Sequence, residues 1–530
     1  MSWVRRHAYA LGLVFAGVLA AAIRFVNILV WRPTCDGDLV TLVEAGQRLP
    51  EPTPPGCWQV GGDSAYGYLQ GRMIARGDWF IDSAAWVGTG GKRLVPSAGD
   101  PPLYALYLAF FNKLGLTSVT SARLVSAVAG IAGVVLIGVV ARRIAGPRAG
   151  VIAAVLAAVT PMLWINDGML LSEALYVPMV ALAMLAGYHF WQKPTLGTSV
   201  LMGAVIALAA LTRAESILLF GFMVLPLAWG LKELTLGRRA LLAVVSGLVG
   251  MAVLAPWFVY NAGRFEQPVF MTSGTGAVLL AGSCEPAFRG EFIGYYGANC
   301  YDEYIRYGYL TDNPDFPGCD AEARQIAIDF PDGSQRTREQ NAVLAPCYPD
   351  PLTLDESQRD AVNRGFAQRY LADNKRQLPI VMAARVGRMW DVYAPGQNTQ
   401  LNWQVEGRGE LASVAGLWTY YLQIPFAIGG LVVLVRRRIP VSPLLAMAGV
   451  ITVTAAITFG ATRYRVPADV MIAILAAVGI EALVAMRWRA TDTGTISRRR
   501  GARSPGGPTA ADQDRSDPSD PHAPPELTHV

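Results

Sequence analysis

Histidine is almost absent from this 530-residue chain, with only His7, His189, His522 and His529 present. A Ser-His-Asp triad, a Cys-His pair or a multi-histidine metal site has almost nothing to be built from. Charge is scarce too, at 16% of residues. There is no Gly-x-x-x-x-Gly-Lys-Ser/Thr stretch to cradle nucleotide phosphates, which argues against a nucleotide-driven pump. There is also no Cys-x-x-Cys pair, so zinc-ribbon and thioredoxin-type chemistry lack their usual footing. No nucleic-acid partner is expected.

What fills the chain instead is apolar. Hydrophobic residues make up 52% of it, and mean hydropathy is +0.32. Both values suit a bilayer better than water. Runs long enough to cross a membrane fall near 8–30, 121–141, 148–166, 173–191, 198–213, 215–231, 240–260, 416–435, 441–460 and 467–486. The expected fold is an all-α polytopic bundle of about ten transmembrane helices with two large extracytoplasmic loops. Residues 5–30 also fit a signal peptide, with Arg5 and Arg6 ahead of the apolar run and small residues at 20–22; the run is long for that, and an uncleaved anchor is preferred.

Lys and Arg accumulate in cytoplasmic links. With Arg5 and Arg6 inside, the groups Arg142/Arg143/Arg148, Lys193, Lys232/Arg238/Arg239, Arg436–Arg438 and Arg487/Arg489 all fall inside as well. The expected setting is therefore the plasma membrane, with both termini cytoplasmic. Disulfides need an oxidising compartment. Cys35, Cys57, Cys284, Cys300, Cys319 and Cys347 all lie in the two loops this topology puts outside. Neighbour pairing (35 with 57, 284 with 300, 319 with 347) is the simplest of the connectivities that six cysteines allow.

Four regions follow: a transmembrane module over 1–260 that includes a first outer loop at 31–120, an outer loop domain over 261–415, further transmembrane helices over 416–486, and a disordered cytoplasmic tail over 487–530. In the first loop, stretches 66–74 and 103–111 are amphipathic and short, suited to the bilayer surface. The stretch 378–393, with Arg385 and Arg388 spaced among apolar residues, reads as an interfacial helix.

Short outer links should be poor in basic residues, so Arg213, Arg463 and Arg465 stand out, with Arg123 at the outer start of the second helix and Arg24 inside the first. Guanidinium groups at an outer leaflet match a lipid phosphate, which each can engage with two parallel hydrogen bonds. Snorkelling, or pairing with Glu215, is the plainer alternative. Carboxylates share this side. Asp63 follows Gly61-Gly62 on a flexible turn; Asp36, Asp38, Asp82 and Asp100 lie in the same loop; Asp167 and Glu173 sit at outer helix ends. Asp63 is either a catalytic base or a helix cap, and Ser172-Glu173 also reads as a cap with a first-turn acid.

Gly-Gly-Asp-Ser-Ala-Tyr-Gly-Tyr at 61–68, Asp-Pro-Pro-Leu-Tyr at 100–104, Asn-Asp-Gly-Met-Leu-Leu-Ser-Glu at 166–173, Leu-Thr-Arg-Ala-Glu at 211–215 and Arg-Tyr-Arg-Val-Pro at 463–467 share one face. In this order they resemble the GT-C superfamily of integral-membrane glycosyltransferases, in particular the protein-mannosyltransferase and aminoarabinose-transferase-like group. The resemblance implies transfer of a sugar from a polyprenyl-phosphate-linked donor to a glycan, lipid or protein acceptor on the outer face. It implies Asp63 as the catalytic residue. Arg463, Arg465 and Arg213 are then candidates for the donor phosphate, and Asp100, Asp167, Glu173 and Tyr66 for substrate contacts. No cofactor beyond the lipid-linked donor is implied with certainty, and whether a divalent metal bridges Asp63 and phosphate stays open. Ser64 departs from the pattern, since protein mannosyltransferases carry Glu after that Asp. A transporter or flippase of lipid-linked sugars is the main alternative, although no internal repeat links 121–260 with 416–486. A scaffold or sugar-binding envelope component is the third.

Overall fold

A computed structural model describes residues 2–35, 56–88, 92, 94–297, 300, 325 and 355–500. Helices carry the architecture; the described residues hold only two isolated β-bridges, Thr34 with Trp58 and Ile81 with Pro96. Contacts divide the chain into a large unit, Met1–Ala482, and a second unit, Leu483–Val530. The tail expected to be disordered over 487–530 begins as helix, since Val466–Arg500 runs through its first residues, and 501–530 lie outside the described residues.

Each apolar run is helical. Among the described residues, six helices are long and apolar enough to cross a membrane: His7–Trp31, Val119–Ala145, Glu173–Gln192, Leu236–Asn261, Glu410–Arg436 and Thr462–Met486. The run at 148–166 is broken, with Pro147–Val159 and Pro161–Gly168 meeting at 51°. The cause is local. Pro161 disfavours helical backbone at the preceding residue, and Thr160 sits at ψ 113°. Leu196–Ala210, Ala214–Gly230 and Ser442–Ile457 are shorter apolar helices. The molecule is thus a polytopic helical membrane protein.

Small residues let these helices close on one another. A Cβ at Gly430 would collide with the Leu475 carbonyl, and one at Gly479 with that of Phe426, so the last two long helices touch backbone to backbone. One charged pair inside the bundle joins two of its elements. Arg24 and Asp167, each 1% exposed, form a buried ion pair at 2.6 Å, and Arg24 also donates to the Leu163 carbonyl. This locks the first helix to the bent segment. Replacing Asp167 by Ala should strand the buried guanidinium and lower stability by about 3–5 kcal/mol, read as a depressed melting temperature in detergent. An unchanged melting temperature would remove this pair from the fold's supports.

The stretch between the first two long helices contributes the Asp63–Arg76 and Pro102–Lys113 helices, which pack together and, at 14 and 12 residues, span only about 21 and 18 Å. Both fall short of a bilayer core of about 30 Å. Cys35 pairs with Cys57 and Cys284 with Cys300, as neighbour pairing anticipated; Cys319 and Cys347 lie outside the described residues.

The stretch expected to float at the interface does otherwise. Leu378–Met389 is helical, but Arg385 and Arg388 are buried rather than turned to headgroups. Arg385 donates to the carbonyls of Ala456 and Ile457, 3.0 Å each, at the end of the Ser442–Ile457 helix. Those carbonyls have no partner within their own helix and carry its negative dipole end, so a buried cation is favoured there.

Candidate active site

Asp63 owes its place to the turn before it. Gly62 has φ +54°, a conformation that glycine adopts without penalty, and Ser64 closes the turn through its hydroxyl to the Gly61 carbonyl, 2.6 Å. Helix Asp63–Arg76 begins there, and Asp63 is the acid of its first turn. That carboxylate accepts from Arg463 Nη1 at 2.5 Å. Asp63 remains 60% exposed and Arg463 18%.

Arg463 lies on the 3-10 turn Thr462–Arg465 that opens the last long helix. Its Nε donates to Glu173 Oε1 at 2.7 Å, and Arg213 Nη1 reaches the same oxygen at 3.0 Å. Arg213 Nε in turn meets Glu215 at 2.7 Å. Four segments distant in sequence are therefore joined in one line: Asp63, Arg463, Glu173, Arg213, Glu215. Glu173 is the pivot, holding two guanidinium groups side by side that would otherwise repel.

This line borders a cavity of about 770 Å³ lined by Asp63, Tyr66, Asp100, Arg213 and Arg463. Tyr66 hydrogen-bonds Ser97 at 2.9 Å, and Pro101 and Pro102 fix the turn that presents Asp100 before the Pro102–Lys113 helix. The Arg463 guanidinium holds the Asp63 carboxyl below the usual carboxylate range. Asp100 is driven the opposite way. Desolvation at the cavity wall pushes it up to about 6, and the charge of Asp63 acts in the same direction.

Three residues expected to contact substrate do not line the cavity, and the first of them, Glu173, is 2% exposed and spent on Arg463 and Arg213. Asp167 is committed to Arg24 inside the bundle and does not line the cavity. Arg465, two residues from Arg463 on the tight turn, points the other way. It is fully buried, bound to Asp391 Oδ2 at 2.5 Å and Asp469 Oδ1 at 3.0 Å, with its guanidinium 3.7 Å from the centre of the Tyr420 ring. A guanidinium so enclosed has no face for a phosphate. Its place fits a peg that fixes the turn presenting Arg463. Arg123 is likewise internal, donating to the Gly168 carbonyl at 2.6 Å and Thr34 Oγ1 at 2.9 Å and covering Trp58. Asp82 caps the backbone of Ala85 and pairs with Arg359. Asp36 and Asp38 lie outside the described residues.

The cavity also holds residues that sequence reasoning passed over. Glu406 lines it, with Arg408 at 3.7 Å and Arg463 at 3.9 Å. Glu356 accepts from Ser273, Ser97 and the Ala98 backbone, tying the Glu356–Asp373 helix to the first loop. A signal existed for each. Glu406 stands beside Gly407 and Gly409, both at positive φ, just ahead of a span, much as Asp63 stands beside Gly62. Glu356 follows Asp355, which forms a capping box with Gln358. Among the described residues, no group of three or more His, Cys, Asp or Glu side chains gathers as a metal site.

Residues 99–260 match the family described as dolichyl-phosphate-mannose-protein mannosyltransferase. That match spans 162 of the 530 residues and takes in the motifs at 100–104, 166–173 and 211–215, so over this segment the chain is similar to the group its motifs implied. No curated protein matches the chain in sequence. Among solved structures, it is similar to the oligosaccharyltransferase AglB of Archaeoglobus fulgidus, in complex with an inhibitory peptide and a dolichol-phosphate, at 16% identity and TM-score 0.48, covering 93% of this chain and 52% of that one. The chain thus spans about half the length of that relative. It is also similar to ArnT of Cupriavidus metallidurans bound to undecaprenyl phosphate, at 17% identity and TM-score 0.34, covering 89% of this chain and 78% of that one.

Proposed function

We propose that this chain is a membrane glycosyltransferase that moves a sugar from a polyprenyl-phosphate-linked donor to an envelope acceptor (glycan, lipid or protein) on the outer face of the membrane. The observation that carries this reading is the Asp63–Arg463–Glu173–Arg213 line along one cavity, where a carboxylate and two guanidinium groups meet. The AglB and ArnT structures hold dolichol-phosphate and undecaprenyl phosphate, the lipid-phosphate part of such a donor.

In the proposed step, an acceptor hydroxyl oxygen attacks the anomeric carbon as the bond from that carbon to the phosphate oxygen breaks. The bonding pair leaves on the phosphate, and the acceptor proton passes to Asp63. The sugar inverts. Arg463 and Arg213 meet the growing phosphate charge from fixed positions, so little reorganisation is needed as the charge develops. Phosphate leaves readily, and no general acid is required. Arg463 also links the two halves of the site. When phosphate takes a share of its guanidinium, the grip on Asp63 weakens, and the carboxylate becomes a better base as the donor binds.

A second reading gives the base to Asp100, since a carboxyl near 6 is better matched to neutral pH than one held below its usual range. The pH profile separates the two. A base must be ionised, so activity is lost as pH falls through its pKa. With Asp63 as base, sugar release holds level from pH 7 to about 5. A fall centred near 6 that disappears in Asp100→Asn would assign the proton to Asp100 instead.

Sidedness follows from the placement of basic links, with both termini proposed to be cytoplasmic. Transport of an intact lipid-linked sugar is the rival, and the fate of the sugar–phosphate bond decides between them.

A further inference from the structure

One wall of the cavity has no task in the transfer step. Tyr296, Phe459 and Tyr464 line it. Their ring centroids follow one another at 5.0 and 5.2 Å, and Tyr295 stacks behind Tyr296 at 4.5 Å. All three lining rings are only partly buried.

The wall is held from two sides. Tyr296 sits on a segment strapped by the Cys284–Cys300 disulfide and by the Gly297 N–H donating to the Ala281 carbonyl at 2.9 Å. The Gly460 N–H, next to Phe459, donates to the Gly294 carbonyl at 2.8 Å. That hydrogen bond joins the backbones behind the first two rings, across a sequence gap of well over a hundred residues.

A carboxylate completes the wall. The Tyr296 hydroxyl donates to Glu406 Oε1 at 3.1 Å, and Glu406 Oε2 lies 3.9 Å from Arg463 Nη1, at the reacting end of the cavity. Three ligand chemistries are conceivable, and the residues discriminate among them. A phosphate would be repelled by Glu406. An isoprenoid chain would strip water from that carboxylate without giving it a hydrogen bond, which is costly. A sugar ring satisfies both parts, because its C–H faces are apolar and its hydroxyls donate to a carboxylate.

We propose that Tyr296, Phe459, Tyr464 and Glu406 form a saccharide subsite, with ring C–H groups against the aromatic wall and hydroxyls donating to Glu406. The subsite stands on the cavity wall alone. It rests on the transferase reading only for the origin of the sugar, either the donor's sugar or that of a glycan acceptor.

The test is saturation-transfer NMR on the full chain in detergent, with methyl mannoside, glucoside, galactoside and arabinofuranoside as probes. At least one should receive saturation on its ring protons. Tyr296→Ala and Phe459→Ala should each weaken that binding roughly 3- to 10-fold, the loss of about one aromatic contact. Glu406→Gln should weaken it comparably, while Tyr296→Phe, which keeps the ring, should do so less and serves as the folding control. Titration with sugar-bearing and bare polyprenyl phosphate then identifies the source. A donor subsite makes Tyr296→Ala weaken only the sugar-bearing lipid, whereas an acceptor subsite leaves both lipids unaffected. The proposal is overturned if no glycoside binds, if the variants bind glycosides as the wild type does, or if bare polyprenyl phosphate weakens equally. Glycoside binding in a wild-type chain that never separates sugar from polyprenyl phosphate would sink the transferase reading and spare the subsite.

Discussion

Asp63→Asn is expected to lower sugar release from a polyprenyl-phosphate donor by roughly 10²–10⁴-fold, the usual contribution of a positioned base, while the protein still inserts and melts normally. The substitution keeps the shape of the side chain and the Gly62 turn, so folding has little reason to change. What it removes is a proton acceptor at the cavity edge and the carboxylate partner of Arg463. The two losses have different signatures. A missing base depresses the turnover of bound donor, whereas a misplaced Arg463 raises the donor concentration needed. Single-turnover rates at saturating donor isolate the first. Undiminished single-turnover release would take Asp63 out of the mechanism and move attention to Asp100.

Arg463→Ala should be nearly as damaging, by another route. Arg463 joins Asp63 to Glu173, and Glu173 is 2% exposed. Truncating Arg463 removes a charged fork from the proposed phosphate site and deprives a buried carboxylate of one partner. Removing one member of a buried, hydrogen-bonded charge pair costs about 2–5 kcal/mol, or roughly 30- to 4,000-fold in binding. Arg463→Lys should recover only part of this, since an ammonium keeps the charge without the planar fork. Arg213 still holds Glu173 at 3.0 Å, which should keep the variant folded. Were Arg463 merely reaching towards headgroups, both variants would bind donor like the wild type.

Much of this was legible in the sequence because bilayer physics leaves a coarse signal. A helix that crosses hydrocarbon must be apolar over its length, and every run of that kind is helical here. The disulfides at Cys35–Cys57 and Cys284–Cys300 could be read because they close loops local in sequence. Side-chain direction on short turns could not be read. Arg463 and Arg465 are equally conspicuous as exceptions to the charge rule, yet the 3-10 turn sends one to the cavity and the other between Asp391 and Asp469. Asp391 itself, at φ +52°, lies in a segment whose composition gives no hint that it will meet Arg465. Asp167 misled for the same reason. Its partner Arg24 is 143 positions away, and only packing brings them together. Glu406 and Glu356 were missed because the sequence over 261–415 carries no recognised motif, and the return of these two residues to the cavity is a tertiary fact.

The most direct measurement follows a doubly labelled donor, with one label on the sugar and one on the polyprenyl phosphate, in proteoliposomes of wild-type protein, Asp63→Asn and Arg463→Ala. Wild-type protein should separate the two labels, leaving bare polyprenyl phosphate in the membrane, and both variants should leave them joined. If the labels cross the bilayer together in wild-type vesicles without separating, the protein moves its lipid-linked sugar rather than transferring it.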